Sequence, residues 1–186
     1  GSKNTISDLL WMRQNGLEGK ILRHAAKGGI VFGICGGYQM LGQSISDPTG
    51  AEQKGTVRGM GLLPVTTVFE QEKRRTRVSG RFAKVGGALA EMSGVCYEGY
   101  EIHMGRTVLS KGTVPLVYME EEGEQRQDGA QSDHVYGCYM HGIFDMSETV
   151  KTFLAAVLRK KGIDPSKITV RDRNAYKEEQ YDRLAS

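Results

Sequence analysis

One cysteine of the chain stands in a sequence context that suits nucleophilic chemistry. Cys35 lies within residues 33–39 (GICGGYQ), directly after the apolar segment 29–32. Glycines on both sides of a nucleophile allow the sharp strand-to-helix turn that exposes it at the end of a strand. Residues 38–44 have the pattern of a helix start, whose free N–H groups and dipole would lower the pKa of the thiol. The pattern predicts an activated nucleophile, and a small buried cysteine is the simpler alternative.

A cysteine that reacts near neutral pH needs a base, and the chain has four histidines. His141 is the best candidate because it follows the strand-like segment 135–140, and open α/β sheets carry functional groups at the carboxyl ends of their strands. The alternative is that His141 is an ordinary polar residue at a strand end. His103 is the second candidate for the base, whereas His24 and His134 are interpreted as surface residues.

These side chains must be positioned by alternating helical and strand-like segments, which are typical of an α/β layered fold. Helices are predicted over residues 8–15, 17–27, 148–161 and 168–184. The first is expected to be capped by Thr5 or Ser7, and the third is strongly amphipathic. Strands are predicted over residues 29–32, 61–69, 76–80, 97–108 and 135–140, and residues 123–133 are predicted to form a polar loop.

Composition and charge exclude several classes of protein. The 186 residues suit one domain, and no apolar run approaches the roughly 18 residues that a membrane helix needs. The polar start of the chain is not a signal peptide, and three cysteines without a C-x-x-C pair make no disulfide framework. A reducing cytoplasm is therefore expected.

Nucleic acid and metal are not expected as ligands. The net charge is only +3, and the basic residues 73–77 lack interleaved aromatics, so we interpret them as a solvated loop or strand edge. Cys138 and His141, with His134 and His103, superficially offer metal ligands. Their spacing matches no common zinc signature, and no metal site is predicted.

Four segments resemble the glutamine amidotransferase domain of the cobyric and cobyrinic acid amidase family, and within that family their sequences are most similar to those of cobyric acid synthases. They are residues 1–5 (GSKNT), 33–42 (GICGGYQMLG), 99–107 (GYEIHMGRT) and 139–144 (YMHGIF), and residues 181–185 (YDRLA) also match. The resemblance covers essentially the whole chain. It implies a class I-like glutamine amidotransferase with a flavodoxin-like three-layer α/β/α fold and a mostly parallel central sheet.

The resemblance also implies a reaction. Cys35 would attack the side-chain amide of glutamine, release ammonia and form a glutamyl thioester that water hydrolyses, while His141 transfers the protons. Backbone N–H groups near Gly36 and in the Gly1-Ser2 loop would form the oxyanion hole.

The substrate site is implied to include three further side chains. Gln39, His103 and Arg106 would line the glutamine site, with the planar guanidinium of Arg106 at the substrate carboxylate. The alternative for Arg106 is a structural ion pair on the surface.

The chain departs from ordinary class I glutaminases at the third member of the triad. Those enzymes have a glutamate two residues after the histidine, where this chain has Ile143, as is typical of the cobyric and cobyrinic acid amidases. Glu101 and Asp145 are the nearest substitutes, and a weakly oriented His141 would make the isolated domain slow or inactive.

The chain also has no P-loop. It therefore resembles a glutaminase domain, residues 1–186, excised from a longer chain. The missing ATP-dependent synthetase domain would use ATP and Mg to amidate a corrinoid in cobalamin biosynthesis, so no cofactor is expected here. The alternatives are another acceptor, as in cobyrinate a,c-diamide synthase or lipid II amidation, and a catalytically degenerate docking domain.

Overall fold

The computed structural model describes residues 2–121, 123–167, 169–170 and 173–185. The helices are α1 (Thr5–Gln14), α2 (Leu17–Ala26), α3 (Gly36–Leu41), α4 (Ser147–Lys160) and α5 (Arg173–Ala185), with 3-10 turns at Gly87–Met92 and Pro165–Lys167. The strands are β1 (Val31–Ile34), β2 (Ser44–Asp47), β3 (Gly55–Arg58), β4 (Val65–Phe82), β5 (Cys96–Leu109), β6 (Val117–Glu121), β7 (Glu124–Asp128), β8 (Ala130–Ser132) and β9 (Val135–Cys138).

A small sheet of β1, β9 and β8 lies between two layers of helices. β1 runs parallel to β9, with Ile34 opposite Cys138, and β8 is antiparallel to β9. Successive side chains of a strand point to opposite faces, so β1 contributes to two cores. Val31 packs with residues of α1, α2 and α3, whereas Phe32 and Ile34 pack with residues of α4. The α/β class and the layered arrangement expected from the sequence are therefore confirmed.

The second sheet is larger and mixed. Its order is β3-β2-β4-β6-β7, and β5 pairs with β4 along nearly the whole length of both strands. β2 and β4 are parallel, and the other pairs in this sheet are antiparallel. The expectation of a mostly parallel sheet is wrong for the described strands, because short connections such as those of β6 to β7 and β8 to β9 allow only antiparallel pairing.

Several predicted boundaries differ from the structure. The cap of α1 is Asn4, whose side chain accepts the N–H of Ser7 at 2.9 Å, and not Thr5 or Ser7. Residues 65–69 of the predicted strand 61–69 and the whole predicted strand 76–80 belong to the single strand β4, whereas residues 61–64 precede it. The predicted loop 123–133 contains β7 and β8. Its side chains do not alternate between apolar and polar, but its backbone forms hydrogen bonds with β6 and β9. Residues 168, 171 and 172 of the predicted last helix lie outside the described residues.

No helix among the described residues is long and apolar enough to cross a bilayer.

Candidate active site

Cys35 occupies the sharp turn between β1 and α3. Its backbone has φ +53° and ψ −113°, and its N–H donates to the carbonyl of Cys138 at 2.9 Å. A β-carbon on Gly33 would lie 2.8 Å from the backbone of Gly37, so the turn requires a glycine there. Conformations of this kind cost about 1–3 kcal/mol and occur mainly at functional sites. The strand, turn and helix expected around the nucleophile are present.

The expected lowering of the thiol pKa is wrong for this structure. Burial raises the pKa of the Cys35 thiol, and a backbone hydrogen bond from Gly36 opposes that rise only in part. The carboxylates of Glu52 and Asp128 disfavour the thiolate further. The helix that follows is only six residues long. The resting nucleophile is therefore a thiol that needs a base.

The pairing of β1 with β9 brings His141 to the same end of the small sheet. Cys35 follows β1 directly and His141 follows β9 by three residues, and these parallel strands end side by side. The backbone of His141 exchanges hydrogen bonds of 2.9 and 3.0 Å with Tyr100 of β5. The Tyr100 ring stacks on the imidazole, with centroids 5.2 Å apart and planes 5° apart. The imidazole is held by one backbone bridge and one aromatic ring.

The backbone of Ile102 contacts both the Cys35 thiol and the His141 imidazole. Cys35 Sγ lies 3.5 Å from the Ile102 carbonyl oxygen, and Ile102 also hydrogen-bonds the His141 ring. A ring nitrogen that donates to a carbonyl carries the proton, which leaves the lone pair on the other nitrogen. Nε2 of His141 is buried and has no hydrogen-bond partner among the described residues. Within the described residues this nitrogen is therefore an unoccupied acceptor.

Burial also sets the charge of the base. It lowers the pKa of the His141 imidazole, and the Ile102 hydrogen bond opposes this effect only in part. At neutral pH the imidazole is neutral and able to take a proton.

Each of the other histidines has at least one ring nitrogen in a polar contact. His24 contacts the carbonyl of Ile30 at 3.2 Å, and His134 contacts that of Ala25 at 2.6 Å. His103 is bound through both nitrogens, as described next. The geometry favours His141 as the base.

Glu101 and His103 belong to an ionic cluster on β5. The Glu101 carboxylate is fully buried and lies 2.5 Å from the guanidinium of Arg126 and 3.4 Å from Nε2 of His103. Nδ1 of His103 contacts the Gly105 carbonyl at 2.8 Å, and its ring stacks on Tyr139. These contacts anchor Glu101 in a salt bridge.

The position of the usual glutamate is occupied by core packing. Ile143 is fully buried in the core beside α4. Asp145 lies in the turn after His141, where a β-carbon on Gly142 would be 3.2 Å from its Oδ2.

Gln39 and Gly36 form the inner wall of the elbow. The Gln39 side chain is buried, accepts the Thr5 hydroxyl at 3.1 Å and donates to the Tyr139 hydroxyl at 3.2 Å. A β-carbon on Gly36 would lie 3.2 Å from both Ser2 and Thr5. Gly1, which the sequence analysis placed in the oxyanion loop, lies outside the described residues.

Two arginine-lined pockets lie near the elbow. Arg106 lines a pocket of about 460 Å³ with His103 and Tyr139. The second pocket, of about 540 Å³, is lined by Arg75, Thr76, Arg77, Tyr100 and Ile102. It adjoins His141, because Tyr100 and Ile102 both contact the imidazole. The expected solvated edge 73–77 includes residues 75–77, which the pairing of β4 with β5 brings to this pocket. The side chains of residues 73 and 74 lie outside the described part of the chain.

No group of three His, Cys, Asp or Glu side chains within the described residues is arranged to hold a metal ion.

Comparison with known proteins adds to this geometry. Residues 1–149 match the family described as the CobB/CobQ-like glutamine amidotransferase domain. The chain belongs to that family. The whole of this amidotransferase domain is 51% identical to the cobyric acid synthase of Ruminiclostridium cellulolyticum and 43% identical to that of Lachnoclostridium phytofermentans. It spans 37% and 38% of the length of those relatives.

A solved structure supports the fold of the amidotransferase domain. A crystal structure of a glutamine amidotransferase aligns with a TM-score of 0.54 at 14% identity, covering 82% of this chain and 73% of the other. The family resemblance stated from the motifs is confirmed.

Proposed function

We propose that this domain is the glutaminase of a cobyric acid synthase, with Cys35 as nucleophile and His141 as base. The observation that carries the proposal is the strained elbow at Cys35 on one of two adjacent parallel strand ends, with His141 after the other. Nε2 of His141 is buried and has no hydrogen-bond partner among the described residues. The whole-chain similarity to cobyric acid synthases supports the assignment.

The proposed reaction uses the two neutral groups in turn. Nε2 of His141 takes the thiol proton as Cys35 Sγ attacks the amide carbon of glutamine, and the carbonyl oxygen becomes an oxyanion. The imidazolium then protonates the leaving nitrogen, so that ammonia departs and a thioester remains. Water attacks the thioester, His141 accepts its proton and returns it to sulfur, and glutamate leaves. The N–H of Gly36, which follows the nucleophile, would stabilise the oxyanion in this scheme.

The ammonia would be used by another part of the protein. The relatives named cobyric acid synthase are longer than this chain, and we assign the ATP-dependent synthetase, with its ATP and Mg, to that remainder. The acceptor would be a corrinoid carboxylate. A cytoplasmic location suits a reaction that needs Cys35 reduced, and the described cysteines are free thiols.

The test is the intact mass of the chain after incubation with 6-diazo-5-oxo-norleucine, a reactive glutamine analogue. We expect one adduct on the wild type and none on Cys35→Ala. An unmodified wild type whose Cys35 is nevertheless alkylated by iodoacetamide would show that the glutamine pocket is incomplete in the isolated domain. The same result in the full-length synthase would contradict the glutaminase function and favour a docking role.

The substrate carboxylate has two candidate partners. The family resemblance assigns it to Arg106, whereas the pocket beside His141 contains Arg77, whose register partner is Tyr100. Directly opposed residues of an antiparallel pair share one face, so Arg77 lies on the side of the imidazole.

Kinetics of two variants separate these candidates. Loss of the charged partner of the substrate should raise KM for glutamine about ten-fold or more while changing kcat little. We expect this for Arg106→Gln, with Arg77→Gln as the matched control. A raised KM in Arg77→Gln alone would transfer the role to the pocket beside His141.

A further inference from the structure

The loop between β2 and β3 is organised around a carboxylate that the proposed reaction does not use. Asp47 is fully buried, and its oxygens accept hydrogen bonds of 2.7–2.9 Å from the backbone N–H groups of residues 50, 51, 52 and 53. Burial alone would raise the pKa of Asp47, yet these four bonds hold it below its usual value. The backbone that carries Glu52 is therefore fixed.

Glu52 is held at the N-terminus of α1. Its Oε2 accepts the N–H of Thr5 at 2.5 Å, and its Oε1 lies 3.5 Å from the Thr5 hydroxyl. The Ile6 N–H also bonds this carboxylate, whereas the Ser7 N–H bonds Asn4. The first N–H groups of a helix lack partners within it and so stabilise a carboxylate. Burial outweighs them and raises the pKa of Glu52. Glu52 thus fixes the first turn of α1.

That turn packs against the nucleophile elbow. A β-carbon on Gly36 would lie 3.2 Å from Thr5 Oγ1, so Thr5 rests directly on the residue after the nucleophile. The Thr5 hydroxyl also donates to the Gln39 side chain at 3.1 Å. Because Thr5 is itself buried, a shift of the first turn of α1 would displace Gly36.

From these contacts we propose that Glu52 is a positioning residue for glutamine hydrolysis. It holds Thr5 against Gly36 and so keeps the backbone N–H of Gly36 directed at the developing oxyanion. This inference rests on the proposed glutaminase function. Glu52 contacts the helix and not the reacting atoms, so its effect on the rate acts through Thr5.

The charge of Glu52 gives this role a distinctive signature. The carboxylates that act on the Cys35 thiol within the described residues are Glu52 and Asp128, and both oppose the thiolate. Removing Glu52 should therefore make Cys35 more reactive to a simple alkylating reagent, which needs only the thiolate. The same change should make it less reactive to a glutamine analogue, which needs the assembled site.

The experiment compares these two reactions in Glu52→Ala, Glu52→Gln and a control. Gln53→Ala is the control because Gln53 is in the same loop and accepts the Ser7 hydroxyl at 2.7 Å without contacting Thr5. Rates of Cys35 labelling by 6-diazo-5-oxo-norleucine and by iodoacetamide are measured at one pH by intact mass, in a Cys96→Ser background. Circular dichroism reports the fold of each variant.

For Glu52→Ala we expect labelling by the glutamine analogue to slow about ten-fold or more, while labelling by iodoacetamide stays equal or rises. Glu52→Gln keeps an oxygen for the Thr5 N–H, so its labelling by the glutamine analogue should slow by less. Its labelling by iodoacetamide should change as in Glu52→Ala, because both variants lose the charge. Gln53→Ala should match the wild type with both reagents.

Three outcomes would overturn the inference. Labelling of the Glu52 variants by the glutamine analogue at the wild-type rate would show that the elbow does not depend on Glu52. Equal slowing with both reagents would assign Glu52 to general stability alone. A wild type that resists the analogue but reacts with iodoacetamide, in the full-length synthase as well as in the isolated domain, would remove the proposed function and this inference together.

Discussion

Cys35 holds a backbone conformation that glycine adopts far more easily than any other residue. Its φ of +53° with ψ of −113° stores about 1–3 kcal/mol of strain, which the surrounding turn must offset. The strain directs the side chain out of the turn toward the Ile102 carbonyl. The position of the nucleophile therefore lowers the free energy of unfolding.

Replacing the strained residue with glycine should recover that loss. We expect Cys35→Gly to have a free energy of unfolding about 1 kcal/mol higher than Cys35→Ala, because alanine keeps the strain and glycine relieves it. Urea denaturation of the two variants measures the difference. Equal stabilities would mean that the turn relaxes around alanine.

The protonation of the thiol gives a second expectation at the level of one residue. Burial raises the pKa of Cys35, so the fraction of thiolate should increase only at a pH above that of an ordinary cysteine. The midpoint of the iodoacetamide rate against pH should lie higher in the folded protein than for the same cysteine in denaturant. A midpoint that is equal or lower when folded would show an ionised Cys35 at rest.

At the scale of elements, the edge of β5 positions the base. Tyr100 and His141 form an isolated antiparallel bridge, which places one strand edge against the segment that follows β9. Gly99 permits this approach, since a β-carbon there would collide with the His141 carbonyl and lie 2.8 Å from Met140 Sδ. The strand and the imidazole therefore move together.

Gly99→Ala should separate them. We expect a loss of about 1–3 kcal/mol of stability from the added methyl group, and much slower labelling of Cys35 by 6-diazo-5-oxo-norleucine. Gly86→Ala is the matched control, since its methyl group would meet only the Gln131 side chain at 3.7 Å. If Gly99→Ala labelled as fast as the control, the bridge would not be needed for the position of His141.

At the scale of the whole molecule, two sheets of different character share the site. The small sheet supplies Cys35 and His141 at adjacent parallel strand ends. The large sheet supplies Ile102, Tyr100 and the arginine-lined pockets through β4 and β5. The proposed nucleophile and base thus follow strands of one sheet, and the residues that contact them belong to the other.

The proposed division of labour with a synthetase can be tested in the complete amidating enzyme. Cys35→Ala should abolish ATP-dependent amidation of a corrinoid with glutamine as nitrogen donor, because no thioester forms. Amidation with ammonium chloride should remain near the wild-type rate, because ammonia needs no glutaminase. Initial rates with the two donors decide the question. Loss of both activities in a folded variant would contradict a role limited to ammonia supply.

The sequence alone determined the features that depend on neighbouring residues. Glycines at 33, 36 and 37 around Cys35 indicated the elbow, because a sharp turn is built within a few residues. The apolar spacing of residues 148–161 indicated α4, which the structure gives as Ser147–Lys160. The motif around His141 indicated a strand followed by a base, and the family resemblance followed from such short segments.

Only the tertiary structure decided the features that depend on distant residues. The direction of the Cys35 pKa follows from burial by residues far along the chain, which outweighs the local helix. The salt bridge of Glu101 and the strands β7 and β8 form because separate strands pair with one another. No alternation of apolar and polar side chains in the sequence indicates this pairing. Glu52 reaches Thr5 across 47 positions of the chain. Register and burial are properties of the assembled sheets, and local sequence carries little information about them.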